Sequence, residues 1–307
     1  MIREVYAFED VSDYLYDKND LLIIGIPKAD ERSHFFYDEW NKRNKCILMV
    51  DLRPREQLYF KIINNSQVVR REGIIDLCVT TPKLLRRLQV EDKNILLDMS
   101  SLDHILIMFF TKQFLKQIIP RTLFAAYIRP EKYRKQYGDI EFSLSSQVMA
   151  VKAVPGFAKR ESNKQTLCSF LGFEGIRLKG VLETVHNVDR FIPVVAFPSG
   201  APQWYNTTIW NSMDTLQSEC KESAVLKCFS ESVFEVIELL RDNITPDEKL
   251  VLAPLGTRPH SMACAIFACE HPNTLIVYDH VVEHDHRAIG ISEITIYHLS
   301  TFLKTVN

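Results

Sequence analysis

The sequence predicts an α/β protein with largely parallel sheets. Short apolar runs rich in β-branched residues alternate along the chain with longer helix-like segments, which is typical of strands joined by helices. The composition is that of a globular protein, with 46% apolar and 25% charged side chains among 307 residues. The alternation runs twice, on either side of a stretch over 139–163 that loses helical periodicity and gains Ser, Pro and Gly.

The first half contains five predicted strands and the helices between them. Residues 21–26 form an unbroken apolar run, as expected of a strand buried on both faces. A polar turn and a helix carrying Phe35, Phe36 and Trp40 follow, and a later helix opens with Pro82. The other elements predicted here are strands over 46–50, 74–79, 95–97 and 123–128 and a helix over 102–118.

The second half repeats the order of strand, turn and helix. A glycine turn after the first of its strands runs into a helix, and Pro193 favours an edge or strand-end position for the next strand. The predicted elements are strands over 167–170, 191–197, 250–253, 275–278 and 293–298 and helices over 230–241 and 261–270.

This double series predicts two domains. We expect two Rossmann-like modules, over residues 1–150 and 151–307, with the seam in the irregular stretch between them. A single large doubly wound sheet is the alternative.

The charges are divided unevenly between the two halves. Residues 1–160 hold 26 Lys and Arg against 21 Asp and Glu, whereas residues 161–307 hold 11 against 18. Neither half is basic enough to predict direct nucleic-acid binding. Oppositely charged halves would instead suit docking to a partner or head-to-tail self-association.

The sequence favours a cytoplasmic protein that is not inserted in a membrane. Its first 20 residues are acidic where a signal peptide would be basic, and no run of 18 apolar residues occurs. The seven cysteines are scattered and include no CxxC pair, which favours reduced thiols over disulfides or a zinc site. Without a dinucleotide fingerprint, a P-loop or another standard motif, no cofactor is expected.

Polar turns that follow the strands are the candidate ligand sites, because open parallel sheets bind ligands at the carboxyl ends of their strands. The first such turn covers residues 27–34. Asp30 or Ser33 could cap the following helix, which is the structural interpretation. In the functional interpretation, Arg32 and Ser33 reach a ligand at the end of the strand.

The second turn covers residues 98–104. An Asp at a strand end followed by two hydroxyls is suited to hold ribose or phosphate, which makes Asp98, Ser100 and Ser101 candidate ligand-binding residues. Ser100 as N-cap with Asp103 three residues later would resemble a capping box, and this structural interpretation stands equally.

The third turn, residues 172–180, has glycines where backbone must approach a neighbour closely. Its spacing differs from the dinucleotide fingerprint. Glu174 and Arg177 stand near the start of a helix and are candidate ligand contacts, whereas packing alone would explain the glycines.

The fourth turn, residues 254–261, carries the sharpest signal. Thr257, Arg258, His260 and Ser261 surround the start of a helix, where a positive helix end favours an anion. We expect this turn to bind an anion such as phosphate, and the alternative interpretation is a capped, buried turn without a ligand.

Two further segments leave alternatives open. Residues 279–287 hold three histidines and three carboxylates, but their spacing fits no standard metal site, so we expect an exposed polar loop and no metal. In the segment 202–210, Trp204, Tyr205 and Trp210 would line a pocket, contact another protein or lie in the core.

Four short strings together carry a resemblance. The strings ERS (31–33), DMSS (98–101), GFEGIR (172–177) and APLGTRPH (253–260) are similar to those of a loose group of uncharacterised bacterial Rossmann-like proteins found among phage-defence and mobile-element genes. The DxSS turn also resembles the ligand-facing turn of Rossmann-like CRISPR-associated sensor domains, which bind nucleotide second messengers. Leu102 and Asp103 depart from the sensor pattern.

Three functions follow as hypotheses. The first is a ligand-binding or regulatory subunit of an anti-phage defence complex, which would bind protein partners and a phosphate-bearing small molecule or nucleotide. The second is a scaffold or adaptor without a ligand. The third is a nucleotide-processing enzyme with Asp98 or Glu174 as acid or base and Arg258 with His260 on the phosphate. No nucleophile elbow, HExxH or kinase motif occurs, which favours binding over catalysis.

Overall fold

The chain folds into two compact units. The first comprises Met1–Tyr133 together with Ala288–Asn307, and the second comprises Arg134–Arg287. The C-terminal segment therefore lies with the first unit, whereas a division at residue 150 would place it with the second. The structure, a computed structural model, describes residues 3–7, 13–27, 30–63, 71–133, 145–147, 150–158, 164–220, 224–279, 282–283 and 288–304.

The elements of the first unit alternate between strands and helices along most of its length. They are β1 (Glu4–Ala7), α1 (Asp13–Lys18), β2 (Leu21–Gly25), α2 (Glu31–Lys42), β3 (Cys46–Arg53), β4 (Gln57–Ile63), β5 (Arg71–Asp76), α3 (Thr81–Arg87), β6 (Asn94–Asp98), α4 (His104–Lys116), β7 (Thr122–Ile128) and β8 (Lys132–Tyr133).

In the second unit, too, strands alternate with helices along most of the chain. Its elements are β9 (Ser145–Gln147), β10 (Val151–Ala153), β11 (Gln165–Phe170), α5 (Gly175–Thr184), β12 (Val188–Ala196), α6 (Pro202–Glu219), β13 (Leu226–Cys228), α7 (Val233–Asn243), β14 (Leu250–Pro254), α8 (Arg258–Glu270), β15 (Thr274–Asp279) and β16 (Val282–Glu283). The chain then returns to the first unit with β17 (Ala288–Ile289) and β18 (Ile294–His298).

The sheet of the first unit has a parallel centre and antiparallel edges. Among the described residues its order is β1-β18-β7-β6-β2-β3-β4-β5. Strands β7, β6, β2 and β3 pair in parallel, and every residue of the central β2 is buried. An antiparallel meander continues from β3 through β4 to β5. At the other edge, β18 pairs antiparallel with β7, and β1 pairs antiparallel with β18.

The second sheet is closer to a pure parallel sheet. Its described strands run in the order β10-β15-β14-β11-β12-β13, and β10 alone is antiparallel to its neighbour. If the five parallel strands are numbered 1 to 5 along the chain, from β11 to β15, their order across the sheet is 3-2-1-4-5. This is the doubly wound arrangement. The predicted α/β class with largely parallel core strands is confirmed, in two main sheets and not in one.

Each of the two main sheets has a topological switch point. Here the chain, after adding strands on one side of the first parallel strand, begins to add strands on its other side. In the first unit this point lies between β2 and β6, and in the second it lies between β11 and β14. Crevices at such points are where ligands of open α/β sheets bind.

The position predicted for Pro193 is corrected in part. Pro193 lies in the interior of β12, a strand with neighbours on both sides. However, β13 pairs only with the stretch from Val194 to Ala196. Because Pro193 precedes that pairing, its missing N–H removes no ladder hydrogen bond to β13.

Two further observations bear on the expectations from sequence. No helix in the described part of the chain is both long and apolar enough to cross a bilayer. All seven cysteines are free thiols.

Candidate functional site

The four predicted turns lie at the two switch points. The turns that follow β2 and β6 belong to the first unit, and those that follow β11 and β14 belong to the second. Each unit therefore brings two of the predicted turns to neighbouring strand ends.

Arg32 in the first unit is committed to internal contacts. Its side chain is 1% exposed, pairs with Asp30 at 2.5 Å, and donates from Nη1 to the Ile128 carbonyl at 3.2 Å. Burial disfavours the charged guanidinium, but the hydrogen bond to Asp30 and the charge interactions with Tyr133, Tyr127 and Asp30 together outweigh it and raise the pKa of Arg32. Arg32 thus joins the start of α2 to the end of β7.

Asp30 and Ser33 complete this turn as a helix cap. Asp30 accepts the Arg32 backbone N–H at 3.0 Å as the N-cap of α2. The Ser33 hydroxyl donates to the Asp30 carbonyl at 2.7 Å. The structural interpretation with Asp30 as the cap therefore describes this turn.

Asp98 and the two serines form a buried network after β6. One Asp98 oxygen accepts the Ser100 N–H at 2.8 Å and the other accepts the Ser101 hydroxyl at 2.6 Å. The Ser100 hydroxyl oxygen accepts the Ile128 N–H at 2.8 Å, and the Ser101 oxygen accepts the Gly25 N–H at 3.0 Å. This network ties together the ends of β2, β6 and β7.

The cap of α4 differs from the predicted capping box. Asp103 is the N-cap, and its side chain accepts the Ile105 N–H at 2.8 Å. Ser100 is instead used in the strand-end network, because its hydroxyl meets the Ile128 N–H.

Replacing Ser101 with alanine is expected to lower the free energy of unfolding by about 1–3 kcal/mol, because the buried Gly25 N–H and one Asp98 oxygen both lose a partner. Denaturant titration measures this loss. Alanine at Ser218, an exposed serine on α6, is the control and should change the free energy by less than about 0.5 kcal/mol. Equal stability of the Ser101→Ala variant and the native chain would contradict the role of this network.

Arg177 in the second unit forms a buried ion pair. Nε and Nη2 donate to the two carboxylate oxygens of Asp279 at 2.5 and 2.6 Å, and Nη1 donates to the Leu255 carbonyl at 3.2 Å. Burial again disfavours the charge, but neighbouring Tyr278 and Asp279 raise the pKa of Arg177. Arg177 therefore joins the start of α5 to the ends of β14 and β15.

Glu174 stands at the N-cap of α5 without capping it. Its side chain makes no cap hydrogen bond, and one carboxylate oxygen lies 4.0 Å from Arg177 Nη1. Its charge thus adds to that of Asp279 around the same guanidinium.

The turn before α8 is built differently. Thr257 is the N-cap, but its side chain makes no cap hydrogen bond and donates instead to the Ser230 carbonyl at 2.6 Å. Arg258 and Ser261 follow in the first turn and are buried, and the Ser261 N–H donates to the Thr257 carbonyl at 3.2 Å. This helix therefore begins without a capping oxygen from its own N-cap side chain.

His260 presents an unused acceptor at this helix end. Its Nε2 lies 3.2 Å from the Phe229 carbonyl, which can only accept, so Nε2 carries the proton and Nδ1 has a lone pair. Burial lowers the pKa of His260 to about 4, which keeps the ring neutral at pH 7. Nδ1 is buried and has no hydrogen-bond partner among the residues that the structure describes.

Ser230 supplies a second unused polar atom beside the same turn. Its hydroxyl is buried without a partner in the described part of the chain, while its carbonyl holds the Thr257 side chain. A Cβ on Gly256 would lie 2.9 Å from His260 Nδ1, so the absent side chain leaves this nitrogen facing the turn. Of the four predicted turns, this one retains unsatisfied polar groups.

Several residues that complete these sites were not predicted as part of them. Asp279 was grouped with the polar segment 279–287, although it is an Asp at a strand end like Asp98 and pairs with Arg177. Ser230 and Phe229 gave no signal, because they meet His260 and Thr257 only through the pairing of distant elements.

The described residues contain no group of three or more His, Cys, Asp or Glu side chains arranged to hold a metal ion. His280, His284 and His286 of the predicted polar loop lie outside the described residues.

A comparison with protein-family models finds no match to this chain, and a comparison with curated proteins finds no significant match either.

Proposed function

We propose that the protein is a ligand-binding or regulatory subunit of a bacterial anti-phage defence complex in the cytoplasm, and that it recognises a phosphate-bearing small molecule or nucleotide at the N-terminus of α8. The motif resemblance supports the defence role. The seven free cysteines support the cytoplasmic location. The unsatisfied polar groups beside α8 carry the binding role.

The helix end supports binding of an anion. α8 has 13 residues, and its first backbone N–H groups and its dipole favour negative charge at this end. The Thr257 hydroxyl points to the Ser230 carbonyl instead of capping the helix, so it does not compete with a ligand oxygen. The turn also lies at the strand end next to the switch point, where α/β sheets bind ligands.

His260 refines the chemistry of the proposed ligand. A neutral Nδ1 lone pair accepts a hydrogen bond and repels a phosphate oxygen. The ligand should therefore carry an O–H or N–H donor beside its phosphate, as a ribose phosphate does. The Ser230 hydroxyl can donate a hydrogen bond to a phosphate oxygen or accept one from the O–H or N–H donor of the ligand.

We propose binding without turnover. Asp98, a candidate acid or base, is 0% exposed and uses both oxygens in local hydrogen bonds. One Glu174 carboxylate oxygen lies 4.0 Å from Arg177 Nη1, so this side chain belongs to the ion-pair cluster around Arg177.

Calorimetric titration of the full chain with ATP tests this proposal. The native chain should bind ATP more tightly than inorganic phosphate, which lacks a ribose hydroxyl to donate to His260 while the phosphate group lies at the helix end. Ser230→Ala should weaken ATP binding about 2- to 10-fold, the value of one neutral hydrogen bond. Ser212→Ala is the matched control, because Ser212 is also buried in the second unit with an unpartnered hydroxyl but lies on α6.

Two results would contradict the proposal. One is that a panel of ATP, ADP, AMP and NAD shows no binding to the native chain. The other is that Ser230→Ala and Ser212→Ala weaken binding equally, which would indicate a general effect on the second unit.

An adaptor is the second candidate function. It is favoured by one observation, the exposure of Trp210 on α6, whose indole is 77% exposed. Large exposed aromatic side chains are enriched in protein interfaces.

A further inference from the structure

A groove runs between α5 and α6 on one face of the second unit. It encloses about 710 Å³ and is lined by one side of each helix and by the first part of β12. The backbones of the two helices come close together where Gly175 meets the Asn211 carbonyl, a contact that leaves no room for a side chain on Gly175. Both residues line the groove.

The charged side chains that line the groove are predominantly acidic. Glu183, Asp189, Asp214 and Glu219 line it, with Lys179 as the one basic residue among the lining side chains described. Two exposed ion pairs offset part of this charge, Lys179 with Glu183 at 3.9 Å and Lys164 with Asp189 at 3.6 Å. Exposed pairs of this length are weak, so the groove keeps a negative potential.

Apolar side chains lie exposed beside the point where the helices meet. Ile176 on α5 is 65% exposed, and on α6 Trp210 and Met213 are 77% and 37% exposed. Trp210 and Met213 are three residues apart and share one side of α6. Of these three residues Ile176 lines the groove, and Trp210 directly precedes the lining residue Asn211 on α6. An acidic groove with exposed apolar residues in it and beside it combines the two features that recognise an amphipathic cationic segment.

We propose that this groove binds a basic amphipathic helix of a partner protein. α6 spans 18 residues, about 27 Å, which is long enough for a third helix to pack along it. The apolar face of the partner helix would cover Trp210 and Ile176, and its Lys and Arg side chains would face Asp214 and Glu183.

Charge argues against a symmetric contact in which this groove packs on the groove of a second copy. A two-fold symmetric contact places the same surface on both subunits, so the acidic groove would face its own acidic groove. Like charges placed together oppose such a contact.

This inference rests on the part of the proposed function that makes the chain a subunit of a complex. Ligand binding at α8 is not part of it. Failure of the peptides to bind would therefore not contradict ATP binding, and failure of ATP to bind would not contradict peptide binding in the groove.

Fluorescence anisotropy with two synthetic 18-residue helical peptides tests the proposal. Both peptides carry the same leucine face, and their polar faces carry lysine in one and glutamate in the other. The full chain should bind the lysine peptide at least about 10-fold more tightly in about 0.15 M salt. Trp210→Ala should weaken this binding by about 10-fold or more, because a large aromatic side chain that becomes buried contributes strongly to such contacts.

Charge reversal gives the sharpest comparison. Glu183→Lys with Asp214→Lys should invert the preference so that the glutamate peptide binds better. The control, Asp242→Lys with Asp247→Lys, makes the same change in net charge at exposed positions in and after α7 and should leave the preference unchanged.

Three results would overturn the proposal: equal binding of both peptides, binding of neither, or unchanged binding after the groove charge reversal. Concentration-dependent dimerisation of the native chain that Trp210→Ala abolishes would also overturn it, because the occupant would then be a second copy.

Discussion

Alanine in place of Arg177 is expected to lower the free energy of unfolding by about 3–5 kcal/mol. The substitution leaves the fully buried Asp279 carboxylate without its bidentate partner and the Leu255 carbonyl without a donor. An uncompensated buried charge is among the largest penalties that a single substitution produces. Denaturant titration, followed by circular dichroism, measures the change.

A paired substitution separates lost charge compensation from lost packing. Arg177→Met with Asp279→Leu removes both charges and keeps similar side-chain volumes, so most of the lost stability should return. If Arg177→Ala costs less than about 1 kcal/mol, the pair does not hold the ends of β14 and β15 to α5 as described.

Gly25→Ala is expected to destabilise the chain by about 1–3 kcal/mol or more, because a Cβ at Gly25 would overlap the Ser101 carbonyl. The obstacle is backbone and not a flexible side-chain end, so β2 and the turn after β6 would have to separate. Gly180→Ala is the matched control. Its Cβ would meet only Val151 Cγ2, at 3.8 Å, inside α5, and alanine there should stabilise by about 0.5–1 kcal/mol.

The same thermal or denaturant unfolding measurement serves both glycine variants. A Gly25→Ala chain as stable as the Gly180→Ala chain would show that the first-unit switch point is loosely packed, against the structure.

The two units use a similar construction at their switch points. In each, an arginine from the helix after the first central strand reaches the end of a more distant strand, Arg32 to Ile128 and Arg177 to Asp279. In each, a glycine lets two strand-end turns meet, Gly25 at Ser101 and Gly172 at Leu255. These contacts satisfy polar backbone groups that would otherwise be buried without partners.

The central strands could be predicted from sequence because their signal is local. The apolar run of β2 and the strand-end Asp98 are visible without any partner, and the predicted turns therefore fall at the carboxyl ends of the strands. The helix α8 was equally clear, because Pro259 and the small residues after it mark its start.

Elements with mixed patterns were harder to predict. Along β4, buried and exposed side chains do not alternate strictly, because most of its residues are only partly buried. α6 places buried Trp204 and exposed Trp210 on one helix, so its apolar residues do not follow a single stripe.

The roles of the site residues depended on partners far along the chain. Nothing local to Ser100 shows that its hydroxyl meets the Ile128 N–H, and nothing local to Arg177 shows that it meets Asp279, 102 residues away. The residue types therefore predicted polar strand ends, whereas pairing between strands decided which polar groups are satisfied internally and which remain unsatisfied among the described residues.

A crystal structure of the full chain with ATP would test the proposed site at α8 directly. We expect a phosphate group at the first backbone N–H groups of α8 and a ribose hydroxyl that donates to His260 Nδ1. ATP bound elsewhere on the chain, with the turn before α8 unchanged, would contradict it.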